Sequence, residues 1–241
     1  MPFMVKTLSL LALLLAFSPS FADTQTPASY SGDFVIKVNY RYLLSKPEGY
    51  EADTAKKWPL VIFLHGSGER GTDLEMLKKH GPPKLIAAGQ KFPAVIASLQ
   101  CEPKQIWSPQ GVKAVTDHLI QTERIDASRV YLTGLSMGGF GTWETAMEYP
   151  DTYAAIAPVC GGAGVRWVMA DRIAKLPCWI FHGDKDAAVP VEFSHKMHDA
   201  LKKIGAPVKL TIYPGVGHDS WTQTYDNPEF WKWLFEQKRG A

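Results

Sequence analysis

The sequence predicts an α/β fold in which a mostly parallel sheet is covered by helices on both faces. Three observations carry the prediction. Short, largely apolar runs recur through the chain, as strands buried on both faces require. Stretches of helical length separate these runs, which is the pattern of βαβ units. Loops rich in Gly, His, Ser and Asp follow four of the runs, and ligands in such sheets gather at the carboxyl ends of the strands.

Taken in chain order, residues 34–44 are β-rich and predict an N-terminal hairpin or edge strands. Residues 60–64 form a continuous apolar run that ends at His65-Gly66. Residues 72–89 predict a partial helix, broken at Gly81-Pro82-Pro83. A second apolar run occupies residues 94–99. Residues 112–122 place Val112, Val115 and Leu119 on one helical face. Residues 130–133 predict a strand and residues 138–149 the helix after it. Runs at 153–159, 178–181 and 208–213 complete the strands; 191–203 and 228–237 complete the helices. Asn227 before Pro228 is a start signal for the last of these, with Pro at the first helical position.

The length of 241 residues suits one domain with a targeting segment. A hydrophobic fraction of 46% supplies a sizeable core. The formal net charge of +2 is too small to point to nucleic acid or an anionic membrane as partner. Residues 1–22 read as a secretory signal: Lys6 precedes the apolar run 8–17, and Ser20-Phe21-Ala22 offers small residues for cleavage after Ala22. The run is too short to span a bilayer. The expectation is a secreted or periplasmic product with no stable membrane anchor after cleavage. Residues 23–32 then form a polar tail and residues 33–241 one catalytic domain. The three cysteines have no zinc-site spacing, and neither a metal nor a cofactor is expected. Cys178 lies in an apolar run and reads as a buried thiol.

The chemistry begins at Gly134-Leu135-Ser136-Met137-Gly138, a G-x-S-x-G between a strand and a helix. That context makes a nucleophile elbow: glycines flank a serine held above the sheet at a helix N-terminus. A serine hydroxyl needs a base. His218, in the glycine-rich loop after the last strand, is the candidate. The base needs a carboxylate to hold its tautomer. Asp186 and Asp184, both after residues 178–181, compete for that role, and Asp219 ranks third. The order Ser136, acid, His218 differs from that of the chymotrypsin and subtilisin types. An oxyanion hole would use the backbone N–H of Met137 and, from the loop His65-Gly66-Ser67-Gly68, that of Ser67.

The segments FLHGSGERG, KHGPPKLI, RVYLTGLSMGGFGTW, APVCGG, FHGDKDAAVP and YPGVGHDSW together resemble a group of small bacterial α/β-hydrolases. These are described as predicted peptidases or as phospholipase/carboxylesterase-like proteins, related to dienelactone hydrolases and to feruloyl and polyhydroxybutyrate esterases. The resemblance runs from about Trp58 to Phe235. It implies an α/β-hydrolase fold with a sheet of about eight strands and no large lid domain. It also implies Asp186, the second aspartate of HGDKD, as the acid. A serine stands where true dienelactone hydrolases have cysteine. The implied activity is hydrolysis of short-acyl esters, or of carbohydrate-linked or phenolic esters, on small molecules or polysaccharide. Amide hydrolysis by the same triad, and a catalytically silent binding protein, are the alternatives. Trp107 and Trp221 are candidates for the substrate wall. Cys101 and Cys160 follow strand ends on the same rim and are a candidate disulfide.

Overall fold

The computed structural model describes residues 27–33 and 35–240; the expected signal segment lies outside them. The described residues up to Val35 have no regular secondary structure, and the main compact unit begins at Ile36. Its strands are β1 (Arg41–Ser45), β2 (Trp58–Leu64), β3 (Val95–Gln100), β4 (Ile125–Leu135), β5 (Ala155–Val159), β6 (Cys178–Gly183) and β7 (Val208–Tyr213). Its helices are α1 (Gly81–Ala87), α2 (Pro109–Thr122), α3 (Met137–Glu148), α4 (Glu192–Lys203), α5 (Trp221–Asp226) and α6 (Pro228–Glu236). Among the described residues the sheet has seven strands, against about eight expected, in the order β1-β3-β2-β4-β5-β6-β7. All neighbours run parallel except β1, which pairs antiparallel with β3. This is an α/β-hydrolase fold with no lid evident among the described residues.

Alternation along the strands builds a core on each side of the sheet. In β2, Leu60, Ile62 and Leu64 enter one cluster while Val61 and Phe63 enter the other. Successive side chains of a strand point to opposite faces, so a strand buried on both must be apolar throughout, as β2 is. Each such fully buried side chain contributes roughly 1.5–3 kcal/mol.

The strand order reverses beside β2. The chain leaves β2 to form β3 on one side, then crosses to β4 on the other. β2 and β4 pair directly, with Leu64 opposite Gly134. The crevice beyond the carboxyl ends of such a pair is where open α/β sheets hold ligands. That register sets the loop after β2 against the turn after β4.

One expectation requires correction. Of residues 34–44, only the stretch from Arg41 onward is strand; Val35, Ile36 and Val38 are exposed. β1 runs antiparallel to β3, and Arg41 already faces Gln100, the last residue of β3. Residues before Arg41 have no strand left to pair with. Residues 72–89 are helical in part and divide at Gly81-Pro82-Pro83: a 3-10 segment, Leu74–Lys79, ends at the extended His80, and the Gly-Pro-Pro run then opens α1. Proline is accommodated in a first helical turn, where its missing N–H costs no bond. Gly81 stands at φ +64 where a Cβ would strike Phe63. Among the described residues no helix is long and apolar enough to cross a membrane.

Candidate active site

The turn between β4 and α3 holds Ser136 at φ 52, ψ −116, a sparsely populated conformation that costs roughly 1–3 kcal/mol. The surroundings enforce it. Ser136 N–H donates to Val159 O at 2.9 Å, and Ser136 O accepts from Phe140 N–H at 3.1 Å. A Cβ on Gly134 would lie 2.5 Å from Gly138 O, and one on Gly138 would overlap Leu64 O. The glycines of G-x-S-x-G are thus required by the contact of β2, β4 and α3.

His218 reaches this serine from the loop after β7. Gly183 carries that loop: a side chain there would collide with Val216 and Gly217 carbonyls. Asp184 Oδ1 accepts from Gly215 N–H at 2.7 Å, and Lys185 N–H donates to Val216 O at 2.9 Å. Held in this way, His218 Nε2 accepts from Ser136 Oγ at 2.9 Å, and His218 Nδ1 donates to Asp186 Oδ2 at 2.7 Å. Asp184 therefore shapes the loop, and Asp186 faces the imidazole.

The Asp186 side chain is 0% exposed and the His218 side chain 29%. Asp186 Oδ1 accepts from Ala188 and Val189 N–H, each at 2.9 Å. Burial works to raise its pKa; the bonds from His218, Val189 and Ala188 outweigh it and hold the carboxyl below the ordinary aspartate value. A fourth donor comes from His182, whose Nε2 lies 3.1 Å from Asp186 Oδ2 and 2.9 Å from Val189 O. Both are acceptors, so Nε2 carries the proton, and Nδ1 accepts from Ser194 Oγ at 2.7 Å. Burial lowers the His182 pKa. The bonds form one chain: Ser194, His182, Asp186, His218, Ser136.

The oxyanion candidates meet at the same crevice. Met137 is the first residue of α3, so its N–H has no partner within the helix. Ser67 opens a short 3-10 turn, Ser67–Glu69, after β2. Its peptide plane is set by His65. His65 Nε2 accepts from Cys101 N–H at 2.9 Å, so Nδ1 carries the proton and donates to Gly66 O at 2.5 Å. In a trans peptide the Ser67 N–H points opposite that carbonyl. Burial pushes the His65 pKa down to about 4, which keeps the ring neutral near pH 7. Arg70 adds bonds from Nε to Ser67 O at 2.9 Å and from Nη1 to Gln105 O at 3.4 Å. Ser67, Ser136 and Met137 share one cavity of about 400 Å³. A larger cavity, about 660 Å³, opens at the other end of the sheet, before β5 and β6, and its lining includes none of these residues.

The two tryptophans differ. Trp107 is 2% exposed; its indole N–H donates to His65 O at 3.1 Å, and it lines the cavity beside Ser136. Trp221 sets its ring edge-on to His218 at 5.2 Å and donates to His80 Nδ1 at 3.3 Å. Neither His65 nor His182 was singled out from sequence. Their signal was a His-Gly pair closing an apolar strand, twice.

The expected Cys101–Cys160 disulfide is absent: all three cysteines are buried free thiols. Cys101 follows β3 and Cys160 follows β5, with β2 and β4 between them. Three strand spacings are roughly 14 Å, well beyond the reach of a disulfide. The two also belong to different core clusters. Cys160 instead lies beside Asp186 and His218, its Sγ within 4.8 Å of a carboxylate oxygen of the one and a ring nitrogen of the other. Burial pushes that thiol up to about 12.

Residues 108–227 match the Phospholipase/Carboxylesterase family. Among solved structures, a thermostable esterase is similar with a TM-score of 0.72 and 36% identity, over 84% of this chain and 60% of that one. Poly(3-hydroxyalkanoate) depolymerase C of Paucimonas lemoignei is 31% identical over 165 residues, 62% of this chain and 37% of that protein. A protein of Arthroderma benhamiae described as an uncharacterized secreted protein is 26% identical over 203 residues, 69% of this chain and 22% of that protein. The chain thus spans well under half the length of these two relatives. With its sheet topology and its elbow, the chain belongs to the phospholipase/carboxylesterase family of α/β-hydrolases.

Proposed function

We propose that the chain is a serine esterase that cleaves carboxylic esters through an acyl-enzyme on Ser136. The observation that carries this reading is the pair of bonds from Ser136 to His218 and from His218 to Asp186, 2.9 and 2.7 Å, on a strained turn. Ser136 Oγ attacks the ester carbonyl as His218 Nε2 takes its proton. The Met137 and Ser67 N–H groups meet the developing oxyanion. His218 passes the proton to the leaving alcohol, and water cleaves the acyl-enzyme by the reverse path. Asp186, with every lone-pair direction supplied by a donor, stays ionised and stabilises the imidazolium.

The substrates we propose are short-acyl esters, or carbohydrate-linked or phenolic esters. The open crevice and the aromatic wall of Trp107 support this class, as does the polyester named for the Paucimonas relative. The apolar pattern of residues 1–22 and the secreted Arthroderma relative support export. Hydrolysis of p-nitrophenyl acetate, methyl ferulate, acetylated xylan and a chromogenic peptide, by the protein and by Ser136→Ala, tests the reading. Ester turnover is expected to fall on the order of 10⁴-fold or more in the variant. Activity that survives the substitution overturns the assignment of Ser136; turnover of the peptide alone moves the function to a peptidase.

A further inference from the structure

The cavity beside Ser136 has a direction. Met137, Phe140, Gly141 and Glu144 line it and recur at the spacing of one helical face of α3. Trp107 and Ile106 also line it. Gly141 lets the indole lie directly on the helix, because a Cβ there would sit 2.7 Å from the Trp107 Cβ. Ser67 contributes near Ser136. His218 and Trp221 are not part of this lining.

That asymmetry sorts the two halves of an ester. The leaving alcohol takes its proton from His218 Nε2, so the alcohol side faces His218. The acyl group is left with the cavity on the oxyanion side. Glu144 lies two turns beyond Ser136, about 12 Å along the helix axis. It is the one acidic residue of a lining that is otherwise apolar apart from the two serines, and it enters no ion pair among the described residues. A carboxylate beside apolar walls favours a donor or a cation and repels an anion.

We propose that this cavity is the acyl pocket and that Glu144 accepts a hydrogen bond from a hydroxyl or ammonium group at the distal end of the acyl chain. The inference rests on the serine-esterase reading above. Helical side chains lean toward the N-terminus, so the Glu144 carboxylate lies nearer Ser136 than the backbone rise; less a hydrogen bond of about 3 Å, the acyl body spans at most roughly 9 Å. A para-substituted cinnamoyl group has that reach.

The test is kcat/KM on the methyl esters of 4-hydroxy-, 4-aminomethyl-, 4-methoxy- and 4-carboxycinnamate, for the protein, Glu144→Gln and Glu144→Lys. In the native protein the hydroxy or aminomethyl ester is expected to exceed the methoxy ester by about fivefold or more, with the carboxy ester slowest. Advantage for the hydroxy ester alone identifies a neutral donor as the group recognised; advantage for the aminomethyl ester identifies a cation. Glu144→Gln should narrow the ratio, and Glu144→Lys should reverse the order of the carboxy and aminomethyl esters. Each ratio is internal to one protein, so partial loss of folded enzyme leaves it unchanged, and the native ranking stands even if a variant fails to fold. Equal rates on all four esters, or the native order retained in both variants, overturns the role of Glu144. Turnover of p-nitrophenyl acetate by the native protein separates the two readings. If it is present without a ranking, only the Glu144 inference fails; if no ester is turned over, the esterase reading fails and the acyl pocket with it.

Discussion

His65 and His182 both lie at the carboxyl ends of strands, β2 and β6, and each is followed by a glycine that lets another segment approach. A Cβ on Gly66 would meet Leu135 at 2.8 Å, while one on Gly183 would meet the loop that carries His218. Both imidazoles are buried, at 1% and 0% exposure, and both have pKa values lowered first of all by burial. Their partners differ. His65 bonds only to backbone, at Gly66 and Cys101, and so orients a peptide. His182 bonds to Asp186 itself and to Ser194, and so orients a carboxylate that already serves His218. The same residue pair, just past the end of β2 and in the last two residues of β6, therefore supports opposite ends of the proposed reaction, oxyanion binding at one and the acid at the other.

The comparison can be broken at either end. The largest effect should follow His65→Ala. It frees the Gly66 peptide and leaves the buried Cys101 N–H without an acceptor, a loss of about 2–4 kcal/mol of stability. A misaimed Ser67 N–H should lower kcat by up to about 100-fold with KM little changed; denaturant unfolding and ester kinetics measure the two. An unchanged kcat would remove His65 from oxyanion positioning.

Acid comes next. The folded state keeps His65 neutral down to about pH 4, whereas the unfolded chain takes up the proton near pH 6.5. The unfolded state thus binds more protons between those values. Stability is full above pH 6.5 and declines toward pH 4, by up to about 3 kcal/mol from this residue. His182, lowered in the same direction, adds to the slope. Chemical denaturation from pH 8 to pH 4 reads the decline, and a smaller slope in His65→Gln would assign it.

The smaller effects belong to the acid end. His182→Asn should lower kcat about tenfold, because Asp186 keeps His218 and two backbone donors when it loses the fourth. Ser194→Ala removes one bond to His182 and should cost about 1 kcal/mol, or roughly 2–4 °C in Tm. Equal effects of His65 and His182 substitutions on kcat would erase the distinction drawn between them.

Much of this was legible in the linear chain. The apolar runs mark six of the seven strands, with β4 starting five residues earlier than its run; in β2 and β5 the reason is burial on both faces, which leaves no room for polar side chains. The elbow was legible because its requirements are local: glycines beside a serine between strand and helix. The first strand was overextended because β-rich composition does not reveal where the partner strand stops. The run Gly81-Pro82-Pro83 read as a break because a helix interior rejects proline, and it does divide the 3-10 segment 74–79 from α1, whose first turn accepts the prolines. His80 passed as ordinary, yet it accepts from Trp221, far away in the chain.

What the sequence determined by itself was the set of chemical groups and their order along the chain: the G-x-S-x-G turn, two aspartates after one strand, a histidine after the last. What only the tertiary structure decided was which of these groups meet. Asp186 rather than Asp184 faces His218 because Asp184 is spent on Gly215. Cys101 and Cys160 stay apart because two strands lie between them. Glu144 borders the cavity of Ser136 because α3 runs straight from the elbow. Periodicity reports which face of a strand or helix is apolar, a property of near neighbours. Strand order and loop path set distances between remote residues, and those distances exist only once the sheet has closed around its switch point.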